Sequence, residues 1–230
     1  MSGFSYITPN IEQQLQAWHS LSQNVAKEEI LPTIAISREF GCEGYPLADI
    51  LEKKLSAFQK NTWIVLSKDI MNKIAEDSGY STHDLEKIKH VSGPFNSMIS
   101  SIFGKTPDQY EIFQYTKKTI LHVAKQGHAI LVGRGAACLT QDMPNVAHFR
   151  LVAPKEFRIQ RVMKQLQLNE TDASKYLDEH QIERTHFVNK FTGKDVTDPT
   201  LYDLVLNNGR NTPEQMADII VSYLKQKKLI

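Results

Sequence analysis

The sequence predicts an α/β fold in three layers, a parallel sheet covered by helices on both faces. Three observations predict it. Short apolar runs with strand character recur at Thr33–Ser37, Thr62–Leu66, Ala129–Val132, Ala147–Val152 and Tyr202–Leu206. Helical patterns separate most of them, and such alternation produces a parallel sheet buried on both sides. The 230 residues, 41% hydrophobic and 23% charged, are ample for a core and ordinary for a globular protein.

The elements follow in chain order. Residues 1–31 read as an N-terminal helical extension: Pro9-Asn10 can open a helix, and Ile11, Leu15, Trp18, Leu21 and Val25 keep helical spacing. That stripe carries no convergent polar set, so it suits packing on the main domain or on a second copy of the chain. The main domain is expected over 32–230. Pro46–Phe58 puts Leu47, Ile50, Leu51 and Leu55 on one side. An insertion, helical or loop-rich, is expected over 77–106, where Ser78-Gly79 and Ser92-Gly93-Pro94 interrupt the pattern. Pro107–Gln126 carries Ile112, Phe113, Ile120 and Ala124 and stops at Gly127. Pro154–Leu168 and Glu170–Lys190 form a helical pair. Thr212-Pro213-Glu214-Gln215 has the residues of a capping box, and it opens a last helix through Met216, Ile219, Ile220, Tyr223 and Leu224.

Composition narrows the partners. A net charge of +1 makes no broad electrostatic case for nucleic acid or an anionic membrane. No stretch approaches the length of a transmembrane helix. The two cysteines, Cys42 and Cys138, with no signal-like apolar start, point to a reducing, cytoplasmic setting. The eight histidines form no metal-ligand pattern.

Ligands of parallel α/β sheets bind beyond the carboxyl ends of the strands. Ser37, Ser67, Gly133, Ala153 and Asn207 mark those ends. The first is followed by Arg38-Glu39-Phe40-Gly41-Cys42-Glu43-Gly44-Tyr45-Pro46, a glycine-bearing turn running into a helix start. Laid over the phosphate-loop pattern G-x-x-x-x-G-K-[ST], Arg38 falls at the first glycine, Gly44 at the lysine and Pro46 at the hydroxyl residue. Gly41 and Gly44 can let backbone N–H groups point inward, and a helix N-terminus favours an anion. Arg38 would supply the charge that the lysine lacks. A plain strand-to-helix turn explains the same spacing. Gly104-Lys105-Thr106 imitates the end of the pattern, but Ile99 stands where its first glycine belongs.

Other candidates lie downstream. Arg134, between Gly133 and Gly135 at a strand end, suits an anionic group or a structural ion pair. Arg158 and Arg161 are three apart, on one helix face. Arg184, with Lys190 and Lys194, extends this basic set, and several arginines round one centre neutralise charge in phosphoryl transfer. Asp198 could orient a sugar, a base or hydrated Mg²⁺, or it could start a turn with Pro199. Asp203 reads as structural. Cys42, at a helix N-terminus, is open to a lowered thiol pKa or to simple burial.

In this order the segments resemble the cytidylate kinase-like family of P-loop nucleoside monophosphate kinases. The resemblance runs from about Thr33 to the C-terminus. It rests on Ile36-Ser37-Arg38-Glu39-Phe40-Gly41 with Gly44, Ile130-Leu131-Val132-Gly133-Arg134-Gly135, Ala153-Pro154 with Arg158 and Arg161-Val162-Met163, Phe191-Thr192-Gly193-Lys194-Asp195, Asp198-Pro199 and Tyr202-Asp203-Leu204-Val205. It implies a P-loop NTPase-like fold with a helical lid, ATP, Mg²⁺, and γ-phosphoryl transfer to a nucleoside monophosphate, cytidylate foremost. By position it implies that Ser37, Gly41, Cys42, Glu43, Gly44 and Tyr45 line the donor nucleotide. Arg38, Arg158, Arg161 and Arg184 would act on the transferring phosphates, and Gly133, Arg134 and Asp198 would meet the acceptor. Metal ligands stay open. Glu43 and Tyr45 stand where similar loops have a small and a basic residue, and Ser67-Lys68-Asp69 stands where Asp-Lys-Glu is usual. Two alternatives follow: a weak or inactive nucleotide-binding regulatory protein of the same fold, and an interaction protein working through residues 1–31.

Overall fold

The computed structural model describes residues 16–17, 20, 31–66 and 109–230. The apolar stripe expected at 11–25, Ser67-Lys68-Asp69, the 77–106 insertion and the Gly104-Lys105-Thr106 segment lie outside the described residues. Five strands, β1 (Thr33–Arg38), β2 (Ile64–Leu66), β3 (Ala129–Val132), β4 (Val146–Val152) and β5 (Leu204–Asn207), form one sheet in the order β2-β3-β1-β4-β5. Every pairing is parallel. β1 is thus central, and the chain reverses its direction of travel across the sheet on either side of it. That reversal opens a crevice at the strand's carboxyl end.

Six α-helices complete the described fold: α1 (Gly44–Gln59), α2 (Gln109–Gln126), the short α3 (Ala136–Leu139), α4 (Lys155–Leu166), α5 (Glu170–Thr192) and α6 (Pro213–Gln226). Side chains alternate across β1, so Ile34 and Ile36 face one layer and Ala35 the other. The first layer joins them to Phe149 and Leu151, to Leu47, Leu51 and Leu55 of α1, and to Met216, Ile220 and Leu224 of α6. The second joins Ala35 and Leu131 to Ile120, Val123 and Ala124 of α2, and to Ala136 and Ala137 of α3. Leu51 and Leu55 are fully buried, and each contributes about 1.5–3 kcal/mol by leaving water.

The expected elements are present, with shifted ends. α1 begins two residues before Pro46, because N–H groups of the first turn need no helical partner and proline is tolerated there. β2 starts at Ile64 rather than Thr62, since the Trp63 N–H donates to Ser56 Oγ at 3.0 Å. β5 starts at Leu204, after a 3₁₀ turn at Pro199–Leu201. α5 runs past Lys190 to Thr192 and ends on Gly193 with φ +68°. The capping box forms as expected: Thr212 Oγ1 accepts from Gln215 N–H at 3.3 Å, and Gln215 Oε1 from Thr212 N–H at 2.9 Å. Among the described residues no helix is long and apolar enough to cross a membrane.

Two buried histidines tie the sheet to its surroundings. The His128 ring stacks on Trp63 with centroids 5.2 Å apart. His148 Nε2 lies 2.9 Å from Thr140 Oγ1, and its Nδ1 is 3.9 Å from Asp203. Burial pushes both rings below the ordinary imidazole range; at His148, Asp203 and Thr140 only partly oppose it. The folded protein therefore binds these protons less readily than the unfolded chain, and stability is retained above pH ~6.5 and lost as pH falls below it. Urea midpoints measured from pH 7.5 to pH 5 should fall, and His148→Gln should flatten that slope. An unchanged midpoint would place both histidines in water.

Candidate active site

β1 delivers Arg38 to the crevice and then a turn, Glu39 to Glu43, that feeds α1. Gly41 carries φ +93°, and a Cβ there would come 2.8 Å from the Arg158 Cβ. Glycine is thus required twice over. Most of the turn's N–H groups meet protein acceptors. Glu39 N–H donates to Leu151 O at 3.0 Å, Cys42 N–H to Glu39 O at 3.2 Å, and Gly44 N–H to Cys42 O at 3.0 Å. Two side-chain amides take others: Gln181 Oε1 accepts from Phe40 N–H at 2.8 Å, and Asn208 Oδ1 from Glu43 N–H at 2.7 Å.

Two of the expected arginines brace this turn. Arg161 Nη1 pairs with Glu43 Oε1 at 2.5 Å, and its Nε donates to Gly41 O at 3.1 Å. Asn208 Nδ2 donates to the other Glu43 oxygen at 2.9 Å. Arg158 donates from Nε to Ala153 O at 3.0 Å, with Glu39 Oε2 3.4 Å away. Phe40 packs into the α4–α5 pair. Its ring stacks with His180 at 5.3 Å, meets the edge of Tyr176 at 5.7 Å and carries the Arg184 guanidinium 4.5 Å from its centre.

A second set of arginines converges beside the turn. A Cβ on Gly133 would overlap the Arg38 guanidinium, so the glycine is the floor on which Arg38 lies. Arg134 follows with φ +56°, between Gly133 and Gly135 at +74° each. A non-glycine residue in that conformation costs about 1–2 kcal/mol. The Arg38 charge acts on both Arg134 and Arg184. Burial lowers the proton affinity of Arg38, and Tyr45 partly restores it. Arg134 is lowered by burial and further by the Arg38 charge, against Tyr45. Arg184 is pushed down to about 9, by burial first and by Arg38 second. At about 9, Arg184 stays cationic at neutral pH. Arg38 and Arg184 enter no ion pair with the described residues.

The remaining candidates fall outside this convergence. Ser37 accepts a hydrogen bond from Arg150 Nη1 at 3.1 Å. Burial pushes the Cys42 thiol up to about 12, so it is a neutral thiol at pH 7. Asp198 takes Thr200 N–H at 2.9 Å and the Thr200 hydroxyl at 2.7 Å, which holds the Pro199–Leu201 turn. Asp203 accepts from His148 N–H at 2.7 Å and from the Tyr223 hydroxyl at 2.6 Å, a structural role as expected. Among the described residues no three His, Cys, Asp or Glu side chains group to hold a metal. Sequence reading missed Gln181, Asn208 and Arg150. Arg150 had a signal, a charge inside an apolar strand; the two amides had none.

Residues 33–210 match the family model described as the cytidylate kinase-like family. The structure is similar to that of an uncharacterized protein from Eubacterium ventriosum, at TM-score 0.60 and 20% identity, covering 85% of this chain and 98% of that one. It is also similar to shikimate kinase from Bacteroides thetaiotaomicron, at TM-score 0.50 and 12% identity, covering 84% and 98%. The likeness establishes a P-loop kinase fold, with its parallel sheet between helices. A sequence match to uronate isomerase from Corynebacterium glutamicum is 29% identical over 114 residues, 48% of this chain; the chain spans 21% of that protein.

The Glu43–Arg161 pair is half buried, with side chains 18% and 24% exposed. Glu43→Gln leaves Arg161 without its counter-charge, so unfolding free energy should drop by about 1–3 kcal/mol. Added inorganic phosphate should restore part of the loss. A Glu43→Gln protein as stable as the parent would show that the pair carries no weight.

Proposed function

We propose that this chain, which belongs to the cytidylate kinase-like family, is an ATP-dependent kinase that phosphorylates a nucleoside monophosphate, cytidylate first among the candidates. The observation that carries the reading is the meeting of Arg38, Arg134 and Arg184 at the carboxyl end of the central strand. Buried guanidinium groups that repel one another are stabilised by an anion with several oxygens. A phosphoryl group in transfer spreads negative charge over such oxygens. Donors fixed before the reaction lower its barrier without reorganising.

The parts divide by position. Arg38 comes from β1 beside the α1 start and would meet the donor phosphates. Arg134 comes from the turn after β3 and would hold the acceptor side. Arg184 comes from α5, which the Phe40 stack and the Gln181 bond lock to the turn. That contact would close the site and exclude water from the transferring group. Mg²⁺ would arrive as Mg·ATP on the nucleotide's own oxygens. Glu39 and Glu43, the carboxylates of the turn, are engaged by Arg158 and Arg161, so the described side chains do not fit a resident metal.

A second reading, a nucleotide-binding regulatory protein without turnover, draws on the same turn. Its Phe40 and Glu43 N–H groups face Gln181 and Asn208, and its own carboxylate stands beside them. ADP formation from Mg·ATP, across a panel of nucleoside monophosphates, separates the two. The kinase reading expects acceptor-dependent turnover that Arg38→Ala lowers about 100- to 1000-fold. Binding of ATP without turnover on any acceptor would favour the regulatory reading.

Arg134 offers a sharper check. Arg134→Gly relaxes the left-handed backbone and removes one repelled charge. The protein should stay folded, with an unchanged circular dichroism spectrum, while turnover falls at least 100-fold. Activity that survives would remove Arg134 from the reaction.

A further inference from the structure

A third basic side chain stands at the same sheet edge, on the other face. Arg150 lies opposite Ser37 in the β1–β4 register and is 4% exposed. By strand alternation it shares the face of Ala35 and Ser37, the α2–α3 side, whereas Arg38 shares the face of Ile34 and Ile36. Its Nη1 donates to Ser37 Oγ at 3.1 Å, and its guanidinium sits 5.7 Å from the centre of the Tyr202 ring. Arg150 enters no ion pair with the described residues. Asp195, whose proton affinity it helps to lower, directs its carboxylate to the Thr197 N–H and hydroxyl.

A buried cation with no counter-charge is expensive. Its compensation is neutral: the Ser37 and Tyr202 hydroxyls and the Tyr202 ring face. Among the described residues the buried polar side-chain atoms without a partner are Thr116 Oγ1, Gln126 Oε1 and His128 Nδ1. Nε and Nη2 of Arg150 are absent from that set, so each either has a partner or meets solvent. Lys194 adds a second cation on this side: its Nζ donates to Cys138 O at 3.1 Å, at the end of α3. Both cations act on the Cys138 thiol, which burial dominates. α3 is also the helix that follows Arg134, so this face adjoins the acceptor side rather than the α1 turn.

We propose that Arg150, with Ser37 and Lys194, forms an anion subsite that grips the phosphate monoester of the acceptor from the α2–α3 face of the sheet edge. It rests on the kinase reading for the identity of the acceptor and not for the existence of the subsite. Arginine presents two parallel donors to a phosphate, which a lysine cannot reproduce. The subsite would sense the phosphate and be indifferent to the nucleoside.

Equilibrium titration tests this without turnover. Cytidine 5′-monophosphate, cytidine, inorganic phosphate and ATP are titrated by calorimetry into the full chain and into Arg150→Met, Arg150→Lys and Ser37→Ala. The expected result is a loss of at least 10-fold in cytidine monophosphate and phosphate affinity in Arg150→Met. Arg150→Lys should lose less, and ATP and cytidine should change by less than about 2-fold. Equal losses for cytidine and its monophosphate would make Arg150 a structural residue and overturn the proposal. So would unchanged monophosphate affinity, or no binding of monophosphate and phosphate by the parent chain. If Arg150→Met does not fold, Arg150→Lys and Ser37→Ala decide by the same comparison. Parent protein that binds the monophosphate through Arg150 yet forms no ADP would sink the kinase reading and leave this subsite standing.

Discussion

The site depends on repulsion held in place. Two unit charges about 6 Å apart repel by roughly 3 kcal/mol at an effective dielectric near 20. Arg38, Arg134 and Arg184 are driven below their ordinary proton affinity by burial, and the Arg38 charge lowers the other two further. Such a cluster survives only on a rigid frame. β1, buried at the centre of the sheet, supplies it, together with a glycine floor at Gly133 on which the Arg38 head rests. The left-handed backbone at Arg134 is a further local cost carried by the same frame.

Five arginines round the site fall into two classes, and the division is physical. Arg158 and Arg161 have carboxylate neighbours, Glu39 and Glu43, and carbonyl acceptors in the turn. They shape the loop and neutralise it. Arg38, Arg184 and Arg150 have no ion pair among the described residues. No carboxylate among the described residues neutralises them. The two faces of the sheet edge thus carry separate cationic groups, as a transfer between two phosphate-bearing molecules needs.

Much of the architecture was legible in the sequence because it follows from period and punctuation. Every described strand was foreseen to within about two residues, and Thr212 to Gln215 announced α6 through its own hydrogen-bonding groups. α3 was too short to show a period. The arginines were legible as candidates but not as classes. Arg158 looks like Arg184 until the fold brings Glu39 to one and the Phe40 ring to the other. Asn208 and Gln181 could not be found at all. Each meets the turn across more than 140 residues of chain, and an amide side chain carries no local pattern that betrays such a partner.

Glu43 changes what the turn can do. A loop that cradles phosphates by backbone N–H groups alone needs those groups open and a positive field around them. Here the carboxylate, the Arg161 charge and the Asn208 amide form a closed set on the turn itself. The pair is close to neutral as a whole, so it neither attracts nor repels a phosphate strongly at a distance. The attraction must then come from Arg38 and Arg184. Arg184 rides on α5, which is held by Gln181 and by the Phe40 ring at the tip of the turn. On the kinase reading proposed above, donor affinity would be tied to how α5 sits on that turn. In a loop with a lysine, charge and backbone cradle are one unit, and here they are two elements joined by the Phe40 ring, which meets Tyr176, His180 and Arg184, and by the Gln181 hydrogen bond.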